Sequence, residues 1–391
     1  MKTAFWTSIF IIFYTYLGYG ILLYVLILIK RMFSGKIASG SVNEKRLPSC
    51  TLVIAAYNEE AFIREKIKNT LSLRYPEGKL NILFITDGST DRTPDILREF
   101  PGVKLLHEPE RKGKVAAIHR AVEQVNTEII IFTDANTLLN KDALIYIAEH
   151  YEDPKTGAVA GEKRVHQEEK ADAGSTGEGF YWKYESQLKR WDSELYSVVG
   201  AAGELFSVRR QLYQPVPDDT ILDDFMISML IAAKHYRIVY EPRSYAVEQA
   251  SANISEELKR KVRIAAGGIQ SILRLKNLLN IFRYGILSFQ YISHRVLRWT
   301  ITPFLLILVI LLNAKLCFHS SELIYPLLFS GQIAFYLLAL FGMIFEHKKI
   351  RIKIFFVPYY FCIMNYAVLA GIKRYIYRQQ SAIWEKASRK S

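Results

Sequence analysis

From Phe5 to Ile29 the chain carries no charged residue. At about 1.5 Å per helical residue, such a run is long enough to cross a hydrocarbon layer of about 30 Å. It passes straight into Lys30-Arg31, with no small-residue cleavage site between. The pattern therefore predicts an uncleaved anchor rather than a signal peptide. Towards the other end, Thr300 to Leu312 (or as far as Phe318) and Leu323 to Phe345 predict two more spans. The short loop between them has little positive charge, which places it outside. Ile354 to Ile372 is a fourth apolar stretch, with basic residues on both sides and Pro358 and Asn365 within. A simple span would put Lys373, Arg374 and Arg378 outside, against the positive-inside tendency. A re-entrant or broken helix packed on other helices would avoid this, and both readings stay open. Asn277 to Arg298 alternates Leu, Ile and Phe with Arg, Gln and His, the pattern of a helix in the interface plane. A plain amphipathic surface helix is the alternative.

Between Leu47 and Lys276, short apolar runs alternate with segments of helical spacing. Thr51–Ala56, Asn81–Ile85, Val103–Leu106 and Glu128–Phe132 read as strands. Glu59–Leu73, Asp91–Phe100, Val115–Val125 and Phe225–Lys234 read as helices, with Asp91 as an N-cap. This alternation predicts an α/β domain: a mostly parallel sheet with helices on both faces. The chain then divides into an N-terminal anchor (1–31), the α/β domain (47–276), an interfacial amphipathic helix (277–298), C-terminal membrane segments (299–372) and a basic tail (373–391).

Half of the 391 residues are hydrophobic, and 24 Tyr and 22 Phe are many for a wholly soluble protein. The net charge of +13 fits either nucleic acid or an anionic membrane face. The basic residues cluster beside the apolar runs, at Lys30-Arg31, His347-Lys348-Lys349 and Lys373-Arg374. The charge therefore reads as membrane-flanking, and the domain after the anchor is expected in the cytoplasm. No nucleic-acid module is evident, and no such partner is expected. Cys50, Cys317 and Cys362 are spaced for neither a disulfide framework nor a zinc site. They read as buried small hydrophobes.

Acidic groups close several of the apolar runs. Asp87 in Asp87-Gly88-Ser89-Thr90-Asp91 ends the second strand; a carboxylate there can accept from the N3–H of a uracil, and Gly88 allows a tight turn. An ordinary Asp-Gly turn explains the same residues. Tyr57-Asn58-Glu59-Glu60 ends the first strand with polar groups for a base or ribose, or Asn58 merely caps the next helix. Arg111-Lys112-Gly113-Lys114 offers cations to a diphosphate, or is a solvated charge run. Asp134 and Asn136 sit two apart. In an extended segment both face one way and can approach one hard cation such as magnesium. Asp223-Asp224 opens the Phe225 helix, either as a general base for an incoming hydroxyl or as a cap favoured by the helix dipole.

Taken together, Ala56-Tyr57-Asn58-Glu59, Asp87-Gly88-Ser89-Thr90-Asp91, Gly113-Lys114, Asp134-Ala135-Asn136, Asp223-Asp224 and Gly200-Ala201-Ala202-Gly203 resemble the inverting family 2 glycosyltransferases of the GT-A fold. The resemblance covers roughly Thr51 to Gln270. It is strongest to the membrane-embedded branch that makes cellulose, chitin, hyaluronan and poly-N-acetylglucosamine. It implies a nucleotide-sugar site of Ala56, Tyr57, Glu59, Asp87, Gly113, Lys114, Asp134, Lys261 and Arg263, with Asp87 on the uracil. It further implies Mg2+ or Mn2+ held by Asp134 and Asn136, Asp224 as the base, and Gly203, Glu204, Asp223 and Gln270 on the acceptor side. The chain departs from the pattern in several places. Thr86 stands where many members have Asp, Asn136 replaces a second Asp, and His119 replaces a common Asn. The Gln-x-x-Arg-Trp motif of processive synthases is absent; Arg260-Lys261-Val262-Arg263-Ile264 stands in its place, and Trp182, Trp191 or Trp384 would have to offer the acceptor an aromatic surface.

The implied activity is transfer of a sugar from a UDP-sugar to a hydroxyl with inversion, at the inner (plasma) membrane, in polysaccharide synthesis. Addition of one sugar to a lipid-linked acceptor is the alternative. A catalytically silent membrane partner is a third reading, and retention of Asp87, Asp134 and Asp224 speaks against it.

Overall fold

The computed structural model describes residues 1–33, 46–166, 173–249, 254–347 and 352–379. Trp384 and the end of the basic tail lie outside the described residues, as does the side chain of Trp182.

Among the described residues, eight strands form one sheet: β1 (Cys50–Ala56), β2 (Leu80–Asp87), β3 (Lys104–Glu108), β4 (Ile129–Asp134), β5 (Thr137–Leu139), β6 (Thr156–His166), β7 (Leu205–Arg209) and β8 (Arg237–Gln249). Their order is β3-β2-β1-β4-β7-β6-β8-β5. The half around β1 is parallel, as expected, whereas β7 runs antiparallel to both β4 and β6, and β5 runs antiparallel to β8. β6 and β8 pair in parallel. The mostly parallel expectation thus holds for the first half, and the second half makes the sheet mixed.

The period-two alternation of a strand decides which helix meets which residue. Leu52, Ile54 and Ala56 of β1 pack with Ile63 and Ile67 of the Glu60–Leu71 helix and Leu144 and Ile147 of the Ala143–Glu149 helix. Val53 and Ala55 face the other way, onto Ala117, Ile118 and Ala121 of the Lys114–Glu123 helix and Met226 and Met229 of the Asp223–Ala232 helix. Burying each branched or aromatic side chain contributes roughly 1.5–3 kcal/mol. Two such layers therefore hold the parallel strands flat between helices, with their C-terminal ends aligned along one edge.

Among the described residues, four helices are long and apolar enough to cross a membrane: Lys2–Phe33, Thr302–His319, Ile324–Glu346 and Ile354–Ile376. The first and second of these meet through Phe5, Val309 and Leu316. The last is continuous through Pro358, so the broken-helix form of the re-entrant reading is not what the chain adopts. Its C-terminal half packs on the Ile254–Arg274 helix of the α/β domain. A Cβ on Gly371 would come within 2.6 Å of the Ala265 Cβ.

The single interfacial helix expected over 277–298 is instead a turn (Lys276–Leu279), a short helix (Ile281–Tyr284) and, after Gly285, a helix that runs from Ile286 to Trp299 through a π turn at Ile292–Val296. Asn280 caps the Ile281–Tyr284 turn by accepting from the amides of Phe282 and Arg283 at 3.0 and 3.2 Å. Gly285 follows at φ 52°, a left-handed backbone angle that ends the turn. Only the start of the segment is apolar and open to the outside, with Phe282 99% exposed. Its later part is drawn inward by buried polar partners. His294 and Tyr19 both bond Asp192, and Arg298 bonds Glu185. That network ties the N-terminal helix, the Ala173–Leu195 helix and the 277–298 segment together.

Candidate active site

β2 and β4 flank β1. Ala56 pairs with Thr86 and Ala55 with Asp134, so Asp87 and Asp134 emerge at the same C-terminal edge, on either side of β1, where open α/β sheets bind ligands. Asp87 is 5% exposed. One of its oxygens accepts from the amides of Lys112 and Gly113 at 3.0 and 2.6 Å, and the other from Arg120 at 2.8 Å. Gly88 next to it has φ 66°, and a Cβ there would lie 2.4 Å from the Arg111 Cβ, so the loop needs glycine at this point. Asn58, also at positive φ, accepts from the Thr90 amide at 2.8 Å and locks the β1 and β2 loops together. Asp91 serves the chain nearby, accepting from the Thr93 and Glu60 amides at 2.9 and 3.0 Å.

A cleft of about 260 Å³ opens here, lined by Ala55, Ala56, Tyr57, Asp87, Arg111 and Gly113 among others. Arg111 lies over the Tyr57 ring, its guanidinium carbon 3.8 Å from the centroid, and the stacked pair walls the cleft. Arg111 is thus held against Tyr57, and Lys112 turns to Glu110 at 3.2 Å. Of the basic run, Lys114 is the cation that reaches the acidic pocket. Glu59 is buried at the start of the Glu60–Leu71 helix, its amide donating to Thr93 at 2.8 Å.

Lys114 also lines an adjoining cavity of about 230 Å³, shared with Thr133, Asp134 and Gly203. Its ammonium lies 2.8 Å from Asp134 and 3.8 Å from Asp223. A Cβ on Gly203 would meet an Asp224 oxygen at 3.3 Å and the Lys114 nitrogen at 3.5 Å, so Asp224 lies beside them. Asp134, Asp223 and Asp224 thus gather around Lys114.

Burial works against charge throughout this pocket. It alone would lower the Lys114 ammonium, but Asp134, Asp223 and Asp224 outweigh it and hold the group well above its ordinary value. Burial raises the Asp134 carboxyl, with Lys114 opposing and Glu204 adding to the rise. Burial, then Asp223, pushes Asp224 up to about 7, against Lys114 and the Phe225 amide, which donates to it at 2.8 Å. One oxygen of Asp223 is buried without a hydrogen-bond partner. Arg263 faces the same acids: burial lowers its guanidinium against the pull of Asp223, Asp224 and Asp134.

Several expected residues have other surroundings. Asp134-Ala135-Asn136 is not extended; Ala135 and Asn136 form the tight turn between β4 and β5, because the Thr137 hydroxyl bonds back to the Asp134 carbonyl at 3.0 Å. The same-face argument from an extended segment therefore fails, although a turn also brings neighbouring oxygens together. Lys261 pairs with Glu257 at 3.4 Å. Glu204 pairs with Lys163 at 2.5 Å; burial opposes its ionisation, yet Lys163 holds it well below the usual carboxylate range. The Gln270 amide is spent on the chain, accepting from the Ile221 amide at 3.0 Å and donating to the Asp219 carbonyl at 2.9 Å. It props the loop that leads into Asp223. Trp191 packs on Tyr24, away from these groups.

Sequence reasoning missed Arg120, Lys163, Lys66 and Trp299. Arg120 follows Gly113 and Ala117 at helical spacing, which was a usable signal. Lys66 holds a core position between Ile63 and Ile67, where a charge is anomalous. Trp299 packs over Gly268, where a Cβ would come within 2.5 Å of its ring, and beside Phe225 at 5.6 Å. It is an aromatic group near the Asp224 helix that no local pattern marks. Lys163 and its partners are far apart in the chain and gave no signal.

Residues 51–216 match the family model described as Glycosyl transferase family 2. The chain is 28% identical over 237 residues to the poly-beta-1,6-N-acetyl-D-glucosamine synthase of Staphylococcus epidermidis, covering 59% of this chain and 57% of that protein. It is 28% identical over 240 residues to the synthase of the same description from Staphylococcus aureus (strain COL), covering 60% and 58%. It thus spans somewhat more than half the length of these curated relatives. Among solved structures, a mannosyltransferase from Pyrobaculum calidifontis in complex with GDP-Man and Mn2+ superposes with a TM-score of 0.71 at 22% identity, covering 96% of this chain and 100% of that one. At that identity the likeness concerns the fold. Motifs, sheet order and matches agree on a domain over residues 51–216 that matches the family 2 glycosyl transferases and has the GT-A fold, flanked by apolar helices of membrane-spanning length.

Proposed function

We propose that the protein transfers a sugar from a UDP-sugar to a hydroxyl of a growing polysaccharide, with inversion, at the cytoplasmic face of the inner membrane. The observation that carries this reading is the continuity from Asp87 through Lys114 to Asp134 and Asp224, along one sheet edge. Asp87 and the stacked Tyr57 and Arg111 receive the uracil, and Lys114 and Arg263 stand ready for the diphosphate. Asp224 takes the proton of the acceptor hydroxyl as its oxygen attacks the anomeric carbon from the side opposite the diphosphate. One C–O bond forms, the bond to UDP breaks, and the configuration inverts.

A divalent cation suits the residues present. Asp134 and Asn136 supply hard oxygens, Asp223 keeps a buried oxygen that makes no hydrogen bond and lies 3.8 Å from the Lys114 ammonium, and magnesium or manganese binds through few protein ligands plus substrate phosphate. When bound, the ion would stabilise charge building on the departing diphosphate. The Pyrobaculum mannosyltransferase of similar fold was captured with Mn2+. The two staphylococcal relatives are described as synthases of a polymer, which favours chain growth over single addition. Trp299 gives the Asp224 side of the domain an aromatic ring in the absence of Gln-x-x-Arg-Trp.

The reading is tested by supplying purified full-length protein in lipid nanodiscs with Mn2+ and a panel of UDP-sugars, then measuring UDP release and product mass. A ladder of oligomers from one donor is expected. A single added sugar on a lipid would replace polymer synthesis with the alternative, and no UDP release from any donor would overturn the enzymatic reading.

A further inference from the structure

The Glu60–Leu71 helix turns Ile63, Lys66, Ile67 and Thr70 into the sheet. Lys66 is 0% exposed. Its ammonium donates to the Thr137 carbonyl at 2.7 Å and reaches the Thr133 hydroxyl at 3.3 Å. Among the described residues it has no ion-pair partner. A buried amine hydrogen-bonded to neutral oxygens is costly to charge, and burial pushes it down to about 7 against the pull of Asp134; an apolar side chain of similar length would suit this face better. What distinguishes the two atoms it binds is their place: Thr133 precedes the Asp134-Ala135-Asn136 turn and Thr137 follows it. The Thr133 hydroxyl in turn donates to the Glu204 carbonyl at 2.8 Å, next to Gly203. Farther along the same helix, Asn69 exchanges two bonds of 2.9 Å with the main chain of Leu139. One helix thus grips the turn from behind while Asp134 lines the cavity in front.

We propose that Lys66 is the positioning residue of this turn: it fixes the chain on both sides of Asp134 and Asn136 so that their oxygens meet the divalent cation, and through Thr133 it links the turn to the segment at Gly203-Glu204. The inference rests on the metal-binding reading of Asp134 and Asn136. Losing a group that orients metal ligands typically weakens metal affinity about 10–100-fold.

The test measures UDP binding to the full chain in nanodiscs across a Mn2+ titration. Lys66→Met keeps the length and removes the charge. It is expected to raise the Mn2+ concentration for half-maximal UDP binding by about 10–100-fold, with metal-free UDP affinity unchanged within about twofold. In an Asp134→Ala background, Lys66→Met should shift nothing further. A purely structural role would lower both affinities together, and that result, or no shift in a folded variant, overturns the proposal. Should Lys66→Met fail to fold, Thr133→Val carries the test, since it keeps the ammonium and the side-chain shape but removes the hydroxyl link. A shift in the same direction is expected, and its absence overturns the proposal. Wild-type UDP binding indifferent to Mn2+ would instead overturn the metal reading itself, and needs no substitution to be seen.

Discussion

Asp224→Asn is expected to lower turnover about 10²–10⁴-fold, the range over which a positioned base contributes, while UDP binding stays close to wild type. The asparagine oxygen can still accept from the Phe225 amide, so the helix start is retained. The amide has no basic site for the acceptor proton, and Asp224 is not among the groups assigned to the uracil or diphosphate. The environment makes this residue suited to the task. With its carboxyl pushed up to about 7 by burial and by Asp223, it accepts a proton far more readily than an exposed carboxylate. The sign follows directly. The base form dominates above about 7, so kcat should rise with pH through that region and fall as the carboxyl protonates below it. A pH–rate profile of wild type, alongside single-turnover rates for Asp224→Asn, checks both. Retention of most activity in the variant would assign the base elsewhere, with Asp223 the next candidate.

Asp134→Ala is expected to cost about 10²–10³-fold in turnover, as loss of one group stabilising developing charge commonly does, and also to weaken Mn2+-dependent UDP binding. Two effects combine here. The turn loses the charged oxygen proposed to meet the ion, and Lys114 loses the partner at 2.8 Å that holds it in the cleft. Asp134→Asn should be milder in binding, because an amide oxygen remains to meet the ion. Isothermal titration of UDP with and without Mn2+ separates the outcomes. An Asp134→Ala protein whose UDP affinity responds to Mn2+ as wild type does would remove Asp134 from the metal site.

Strands β1, β2 and β4 were legible because both faces of a central parallel strand are buried, which leaves a continuous apolar run ending in a polar loop. The β2 and β4 runs each end in an acidic residue, and the strand pairing sets Asp87 and Asp134 at one edge. The second half of the sheet was less legible. β7 runs antiparallel between β4 and β6, and nothing local in Leu205–Arg209 tells its direction. The turn at Asp134-Ala135-Asn136 was missed because Thr137, outside the motif, makes the closing bond. The broken 277–298 segment shows the same limit from another side. Its amphipathic pattern is real, but His294 and Gln290 face Asp192 of a distant helix rather than water. Ion pairs such as Lys163 with Glu204 depend on tertiary neighbours, so no spacing rule finds them. Lys66 differs: its anomaly was visible as a charge on an apolar face, and only the structure shows which atoms it serves.

The proposed chemistry needs a single sugar-nucleotide cleft running from Asp87 to Asp224. A structure of the full chain in lipid with UDP and Mn2+ tests this most directly. The uracil is expected against Asp87 and Tyr57, with the diphosphate and ion between Lys114 and Asp134. UDP bound away from these side chains, or the ion held by groups other than Asp134, would contradict it.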